Sequence, residues 1–183
     1  GQIRDVNSFT LSALAAAAGC ESRLTERIPD SCSDLVTILQ NAVLESDLIL
    51  VSGGSSVGDR DFTAAAIAAL PDVELLFHGI ALKPGKPTLL ARCGNTLIFG
   101  VPGHVVAAMT VFQEIVAPAL AAWQGMSRPS CRIAVRGKLG ASLRPDQERD
   151  EIFRVQLEED GNDLIVWPLP AKSGLITVMT RAH

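Results

Sequence analysis

The feature that most constrains the fold is the pairing of short apolar runs with glycine-rich loops, separated by segments that favour helix. Residues 48–51 read Leu-Ile-Leu-Val and end in Ser52-Gly53-Gly54, and residues 96–99 lead into Gly100-Val101-Pro102-Gly103. Apolar runs of this length bounded by Gly and Pro are typical of buried strands. Helical patterns alternate with them at residues 8–18, 34–45, 63–70 and 104–123. The alternation predicts an α/β fold, a mainly parallel three-layer sandwich with helices on both faces of the sheet.

Local signals set the expected ends of these elements. Gly19 is a natural stop for the first helix, and Ser33 or Asp34 is the expected N-cap of the second. Further strands are predicted at residues 74–77 and 88–91, and Cys93-Gly94-Asn95 is predicted to form the turn before residues 96–99. In α/β sheets ligands bind beyond the carboxyl ends of strands, so we expect the glycine loops to form the site.

The pattern changes after Gly125, where the long alanine-rich helices end. Short strands are predicted at residues 133–135, 152–157 and 164–167, and Asp160-Gly161-Asn162-Asp163 is a strong hairpin turn. We therefore divide the chain into an α/β domain, residues 1–126, and a partial β-barrel-like module, residues 127–183.

Composition narrows the function classes. The chain has 183 residues, is 48% hydrophobic and carries a net charge of −4 with scattered basic residues, which argues against nucleic-acid binding. Cys20, Cys32, Cys93 and Cys131 show no CxxC pairing, so we expect ordinary thiols in preference to a metal site or disulfides. We expect no segment to approach the roughly 18 apolar residues of a membrane span, and no signal peptide is recognisable. These features predict a cytoplasmic protein.

The first candidate motif runs from Ser52 through Gly53, Gly54, Ser56 and Gly58 to Asp61. Glycines after a strand let the backbone approach an anion, and successive N–H groups form a nest for phosphate. Two interpretations of Asp61 stay open: an N-cap for the next helix, or a carboxylate that holds a divalent metal.

Two further loops carry candidate binding groups. Lys83-Pro84-Gly85-Lys86-Pro87 is a stiff turn that presents two ammonium groups, which suits a multiply charged oxyanion unless the lysines are only solvated surface residues. Pro102-Gly103-His104 leads directly into a helix, whose first N–H groups bind anions; His104 is otherwise an ordinary surface residue.

The ordered set of motifs resembles one enzyme family. SGGSSVGDRDF, LFHGIALKPGKP and FGVPGHVVAAMTVFQEIVAPAL look like the third domain of the molybdopterin molybdenumtransferases, the family of bacterial MoeA proteins and the gephyrin E domain. Residues 1–7 resemble the family's GxIxDxN segment, and Ile28-Pro29-Asp30 its VPDD segment. Residues 151–154 through 172–174 are similar to its small C-terminal β domain.

The resemblance implies a function and a set of site residues. The family inserts molybdate into adenylylated molybdopterin and releases AMP, with Mg²⁺ assisting. Asp30 and Asp61 match the acidic residues near metal and substrate, and Lys83 and Lys86 match the KPGK lysines. The expected substrate contacts are Ser52, Gly53, Gly54, Ser56, Gly58, Pro84, Gly85, Pro102, Gly103, Arg154 and Ser173. The resemblance also implies a homodimer.

The chain departs from the family at two loops. Gly79 stands where the family usually has a lysine, and His104 begins a segment that reads PGNPVSA in the family. The first strand and the upstream domains of the family have no counterpart, so we expect a fragment of a longer polypeptide. Two alternatives therefore stay open: a molybdopterin adenylyltransferase-like enzyme, or a non-catalytic cofactor-binding or scaffold protein of the same fold.

Overall fold

The fold is described from a computed structural model, which covers residues 5–25, 28, 31–53, 62–126, 133–145 and 147–169. The described residues of its first part form five α-helices, one π-helical turn and five strands. In chain order these are α1 (Asn7–Ala17), α2 (Cys32–Glu45), β1 (Leu48–Ser52), α3 (Phe62–Ala68), β2 (Val73–His78), β3 (Leu82–Lys83), β4 (Leu89–Cys93), β5 (Thr96–Val101), α4 (Val105–Val111) and α5 (Ala117–Trp123), with a π-helical turn (Phe112–Val116) joining the last two.

Alternation along the strands builds a layer on each face of the sheet. On β5, Phe99 and Val101 pack with Val111 and Phe112 of the long C-terminal helix. Ile98, the residue before Phe99, faces the opposite layer with Leu39 of α2 and other residues of α2 and α3. Successive strand residues point to opposite faces, so one strand contributes to both cores. The predicted α/β fold with helices on both faces is confirmed.

The strand directions differ from the expectation of a mainly parallel sheet. The order is β1-β5-β4-β2. β1 and β5 run parallel, whereas β4 is antiparallel to both β5 and β2. Gly94 and Asn95 form a two-residue turn between β4 and β5, and strands joined so tightly must be antiparallel. The described sheet is therefore mixed.

The long apolar helix corrects one expectation and refines another. Val105–Trp123 spans 19 residues with a mean hydropathy of 1.7, so by length and composition it does reach the range of a membrane span. Its Val111, Phe112 and Val116 are fully buried against the sheet and α1. We interpret it as the core helix. The π turn lies just before Pro118, which lacks the N–H that a regular helix would use there.

Two smaller predictions near the chain's local signals were wrong. The N-cap of α2 is Ser31, whose Oγ accepts from Asp34 N at 3.4 Å, because the helix begins at Cys32 rather than at residue 34.

Residues 133–135 do not form a strand. Ile133 and Val135 are exposed, so the apolar alternation there has no layer to pack against.

The C-terminal part forms strands that are tied to the α/β part. β6 (Lys138–Leu139), β8 (Val155–Asp160) and β9 (Asp163–Pro168) form one sheet, and β7 (Asp150–Glu151) pairs with β3. The predicted turn is present, with Gly161 at φ 62°. Of the strand predicted at residues 152–157, only residues 155–157 lie in a strand, β8. Residues 152–154 connect β7 to β8.

Candidate functional site

The carboxyl ends of β1 and β5 bring two of the predicted loops together. Gly53 N donates to Val101 O at 3.3 Å, and a Cβ on Gly103 would lie 3.4 Å from Gly53 Cα. Gly53 has a φ of 100°, a backbone conformation that favours glycine. Thr63 Oγ1 donates to Gly53 O at 2.7 Å and so fixes the loop to α3. The backbone of the loop after β1 therefore lies close to the backbone of the loop after β5 at this edge of the sheet.

The turn from Lys83 to Pro87 is stabilised by hydrogen bonds from buried Thr88 and by packing against Val111. Its Lys83–Pro84 peptide is cis, and Gly85 has a φ of 144°. Buried Thr88 donates to Gly85 O from both its backbone N and its Oγ1, at 3.1 and 2.6 Å. A Cβ on Gly85 would lie 2.9 Å from Val111 Cγ2, so glycine is required by space as well as by conformation. The core helix thus supports the turn that presents the two lysines.

Strand β7 pairs with β3 and so places the C-terminal part beside these lysines. Asp150 N donates to Ala81 O at 2.9 Å and Ile152 N donates to Lys83 O at 2.8 Å. Lys83 Nζ lies 2.9 Å from Glu151 Oε1, and the Glu151 side chain is only 6% exposed. This pairing places the C-terminal strand β7 along one side of the turn.

A cavity of about 290 Å³ opens between the turn, the start of α4 and the segment after β7. Cationic groups dominate its charge: among the described lining residues the acidic one is Glu151, and the basic ones are Lys83, Lys86, Arg149 and Arg154, with His104 also present. Its remaining walls are mostly apolar or backbone, formed by Leu82, Pro84, Gly85, Pro87, Pro102, Val106, Ala107, Thr110, Ile152 and Leu169. A cavity with this balance suits a compact anion with several charges.

Arg154 is oriented by the core helix. Its Nη2 donates to Thr110 Oγ1 at 2.9 Å, and buried Thr110 in turn donates to Val106 O at 2.8 Å. Burial of the guanidinium lowers the pKa of Arg154 from its ordinary value, while the nearby charge of Glu114 partly opposes that shift. The side chain remains a cation at physiological pH and is directed toward the cavity by a fixed partner.

The predicted site residues fall into three groups. Ser52, Gly53, Pro102 and Gly103 meet at the strand ends. Lys83, Pro84, Gly85, Lys86 and Arg154 line the cavity, which Pro102 also borders. The remaining predictions lie outside the described residues: Asp30, Gly54, Ser56, Gly58, Asp61 and Ser173.

Several neighbours of the site were not singled out from the sequence as site residues. Asn7 donates to Ser52 Oγ and to Gly103 O, and Arg149 and Glu151 line the cavity. Asn7 belongs to the segment of residues 1–7 that resembles the family's GxIxDxN, and Glu151 belongs to the tail that resembles its C-terminal β domain. Because Ser8, Thr10 and Ser12 follow Asn7 in the same helix, its polarity alone did not mark it as a site residue. Gly79 and His104 are the positions where the chain departs from the family's motifs. Gly79 has a φ of 92°, and His104 precedes α4 without capping it through its side chain.

Comparison with known proteins identifies the fold's relatives. A family described as the probable molybdopterin binding domain matches residues 1–122, two thirds of the chain. The chain belongs to that family. The resemblance to the molybdopterin molybdenumtransferases is confirmed as well. A protein of that name from Haemophilus influenzae is 36% identical over 128 residues, covering 70% of this chain and 31% of the relative. One from Bacillus subtilis is 31% identical over 123 residues, covering 67% and 28%.

Solved structures of molybdopterin biosynthesis proteins are similar to this chain. The molybdopterin biosynthesis MoeA protein from Pyrococcus horikoshii matches with a TM-score of 0.77 at 28% identity, over 99% of this chain and 42% of its own. The biosynthesis enzyme MoaB from Thermus thermophilus matches with a TM-score of 0.56 at 22% identity, over 67% and 87%, which shows a common fold alone. The chain spans about a third of the length of the curated relatives it matches.

Proposed function

We propose that this chain forms the substrate-binding centre of a molybdopterin molybdenumtransferase, in which molybdate is inserted into adenylylated molybdopterin and AMP is released. The observation that carries the proposal is the cationic cavity between the Lys83–Pro87 turn and the strands that follow residue 149. Molybdate is a compact dianion, and fixed ammonium and guanidinium groups in a partly dry cavity are the groups that bind such an anion.

The geometry supports a division of labour between the two loops and the cavity. Lys83, Lys86 and Arg154 hold the oxyanion by charge, and the strand ends around Ser52 and Gly103 bind the phosphate of the pterin substrate. Pro102 borders the cavity and is also a neighbour of the strand-end loops through Asn7. The two substrates would therefore bind side by side, and holding them adjacent is the main contribution that the protein makes to the reaction.

We further propose that Mg²⁺ serves the phosphate, with Asp30 and Asp61 as its ligands. When bound, the ion would neutralise phosphate charge. Both residues lie outside the described part of the chain, which contains no cluster of three or more His, Cys, Asp or Glu side chains able to hold a metal. This proposal and that of a homodimer therefore rest on the resemblance. The proposed cytoplasmic location rests on composition, and the domain division after residue 126 rests on the change of pattern after Gly125.

The likeness in fold to the Thermus thermophilus MoaB protein does not favour the adenylyltransferase alternative, because a shared fold does not specify an activity. The strands after residue 133 argue against it, since β7 supplies Glu151 to the cavity and Arg154 follows, and these residues belong to the tail that resembles the transferases.

An assay on the full-length parent protein separates the candidate functions. The parent is incubated with adenylylated molybdopterin, with and without molybdate, and AMP is measured. The transferase releases AMP in a molybdate-dependent reaction. In a parallel incubation with ATP and molybdopterin an adenylyltransferase instead releases pyrophosphate, and a scaffold shows turnover in neither. Absence of molybdate-dependent AMP release would contradict the proposed function.

A further inference from the structure

Asn7 is a buried amide that connects the two strand-end loops. It begins α1 and is only 8% exposed. Its side-chain nitrogen lies 2.5 Å from Ser52 Oγ at the end of β1 and 2.9 Å from Gly103 O, with Pro102 O at 3.5 Å. One side chain therefore contacts both sides of the phosphate-binding edge that the proposed function requires.

The neighbours of Asn7 decide which way its amide points. Two of the three neighbouring groups are backbone carbonyls, which can only accept hydrogen bonds. Only the NH₂ group of Asn7 can satisfy them, so the nitrogen and not the oxygen must face this side. Its two protons are then used by Ser52 Oγ and Gly103 O, the two short contacts.

This orientation fixes the hydrogen-bonding role of Ser52. An amide NH₂ has no acceptor, so Ser52 Oγ must be the acceptor in the 2.5 Å contact. The proton of the Ser52 hydroxyl is consequently directed away from Asn7. Ser52 is exposed at the strand end, beside the backbone of Gly53, so its hydroxyl is available as a donor to a ligand there.

We propose that Asn7 is a positioning residue that orients the Ser52 hydroxyl as a hydrogen-bond donor to a phosphate oxygen. The inference rests on the proposed function, since it assigns the strand ends to the phosphate of the adenylylated substrate. Phosphate oxygens are acceptors, and a hydroxyl that already accepts from a fixed amide loses little freedom when it donates to one.

The test is a titration of AMP into the chain and into Asn7→Asp, Ser52→Ala and the double variant. Aspartate keeps the shape of asparagine but cannot donate to Ser52 when ionised. Asn7→Ala serves as a second variant in the same cycle, because it removes the donor without placing a charge beside the carbonyls. Adenosine, which lacks the phosphate, is the matched ligand control, and molybdate binding at the Lys83–Lys86 cavity reports whether the fold is intact.

We expect each single substitution to weaken AMP binding about tenfold, as for loss of a hydrogen bond to a charged group. The double variant should be no weaker than Ser52→Ala, because Asn7 acts through Ser52, and molybdate and adenosine binding should stay unchanged. A merely structural Asn7 would give additive losses or lower molybdate binding as well. Either of those results, or parent-like AMP binding in Asn7→Ala, would overturn the inference.

Failure of this inference is distinguishable from failure of the proposed function. If the full-length parent releases AMP with molybdate while the Asn7 variants keep its KM for the adenylylated substrate, only the positioning role is wrong. If the parent shows neither AMP binding nor molybdate-dependent AMP release, both are wrong.

Discussion

Lys83 on β3 and Glu151 on β7 form an ion pair with Nζ 2.9 Å from Oε1, across the junction between the α/β part and the C-terminal strands. The two side chains differ in exposure, 44% for Lys83 and 6% for Glu151. The buried carboxylate therefore offsets part of the positive charge of the cavity in which the lysine is expected to bind an oxyanion. It also competes with that oxyanion for the same ammonium group.

Glu151→Gln should strengthen oxyanion binding. Glutamine keeps the length and hydrogen-bonding capacity of glutamate but removes a negative charge next to Lys83, so molybdate should bind on the order of fivefold more tightly. Isothermal titration calorimetry of molybdate measures the change, and Asp150→Asn, at the exposed neighbouring position, is the control for a general charge effect. Unchanged or weaker binding in Glu151→Gln would show that the carboxylate does not face the bound anion.

Gly85→Ala should destabilise the protein by about 2 kcal/mol, because the new methyl group meets Val111 at 2.9 Å and the residue has a φ of 144°. Gly94→Ala is the matched control. Gly94 also has a positive φ, 59°, but open space around it, so its substitution should cost only about 1 kcal/mol. Urea unfolding compares the two. Equal losses would mean that the packing of the lysine turn on the core helix is unimportant.

Arg154→Met should weaken molybdate binding without lowering stability. Burial lowers the pKa of Arg154, which means that the folded protein holds this proton less tightly than the unfolded chain does. The charged form therefore opposes folding at every pH below its folded pKa, including neutral pH. Methionine keeps the apolar stem without that cost.

Thermal unfolding and molybdate titration together check the Arg154 prediction. We expect an unchanged or slightly raised Tm at pH 7 and weaker molybdate binding by about tenfold. A variant that loses stability but binds molybdate normally would show instead that the contact between Arg154 and Thr110 is structural.

Much of the fold was predictable because local patterns and tertiary contacts agree. The apolar run at β1 and the helix of residues 7–17 fall close to their predicted bounds, and the turn at Gly161 follows its Asp-Gly-Asn-Asp signal. Strand direction was harder to predict, since an apolar run alone does not specify it. Only the two-residue turn at Gly94 and Asn95 makes β4 and β5 antiparallel.

The site was predictable in its loops and not in its partners. Lys83 and Lys86 stand in a recognisable turn, whereas Glu151 reaches that turn only through pairing of strands that are far apart in sequence. Asn7 likewise meets Ser52 and Gly103 over 45 and 96 residues. The periodicity of a sequence does not predict contacts between distant residues, so these partners are known only from the structure.

Asp61→Asn tests the proposed magnesium role in the full-length parent. Asparagine caps a helix nearly as well as aspartate, so the fold should persist. It is a weaker ligand for a hard divalent cation, so Mg²⁺-dependent AMP release should fall by about a hundredfold. Circular dichroism provides the control for folding. Full turnover in the variant would limit Asp61 to capping the helix that begins at Phe62.

The most direct test of the central claim is a molybdate titration of the chain and of Lys83→Ala and Lys86→Ala. Lys138→Ala is the matched control, since Lys138 pairs with Asp163 on the C-terminal sheet and does not line the cavity. The proposed oxyanion site predicts that each cavity variant binds molybdate at least about tenfold more weakly, through loss of a charge-assisted contact, while Lys138→Ala binds as the parent does. Parent-like binding in both cavity variants would contradict the account.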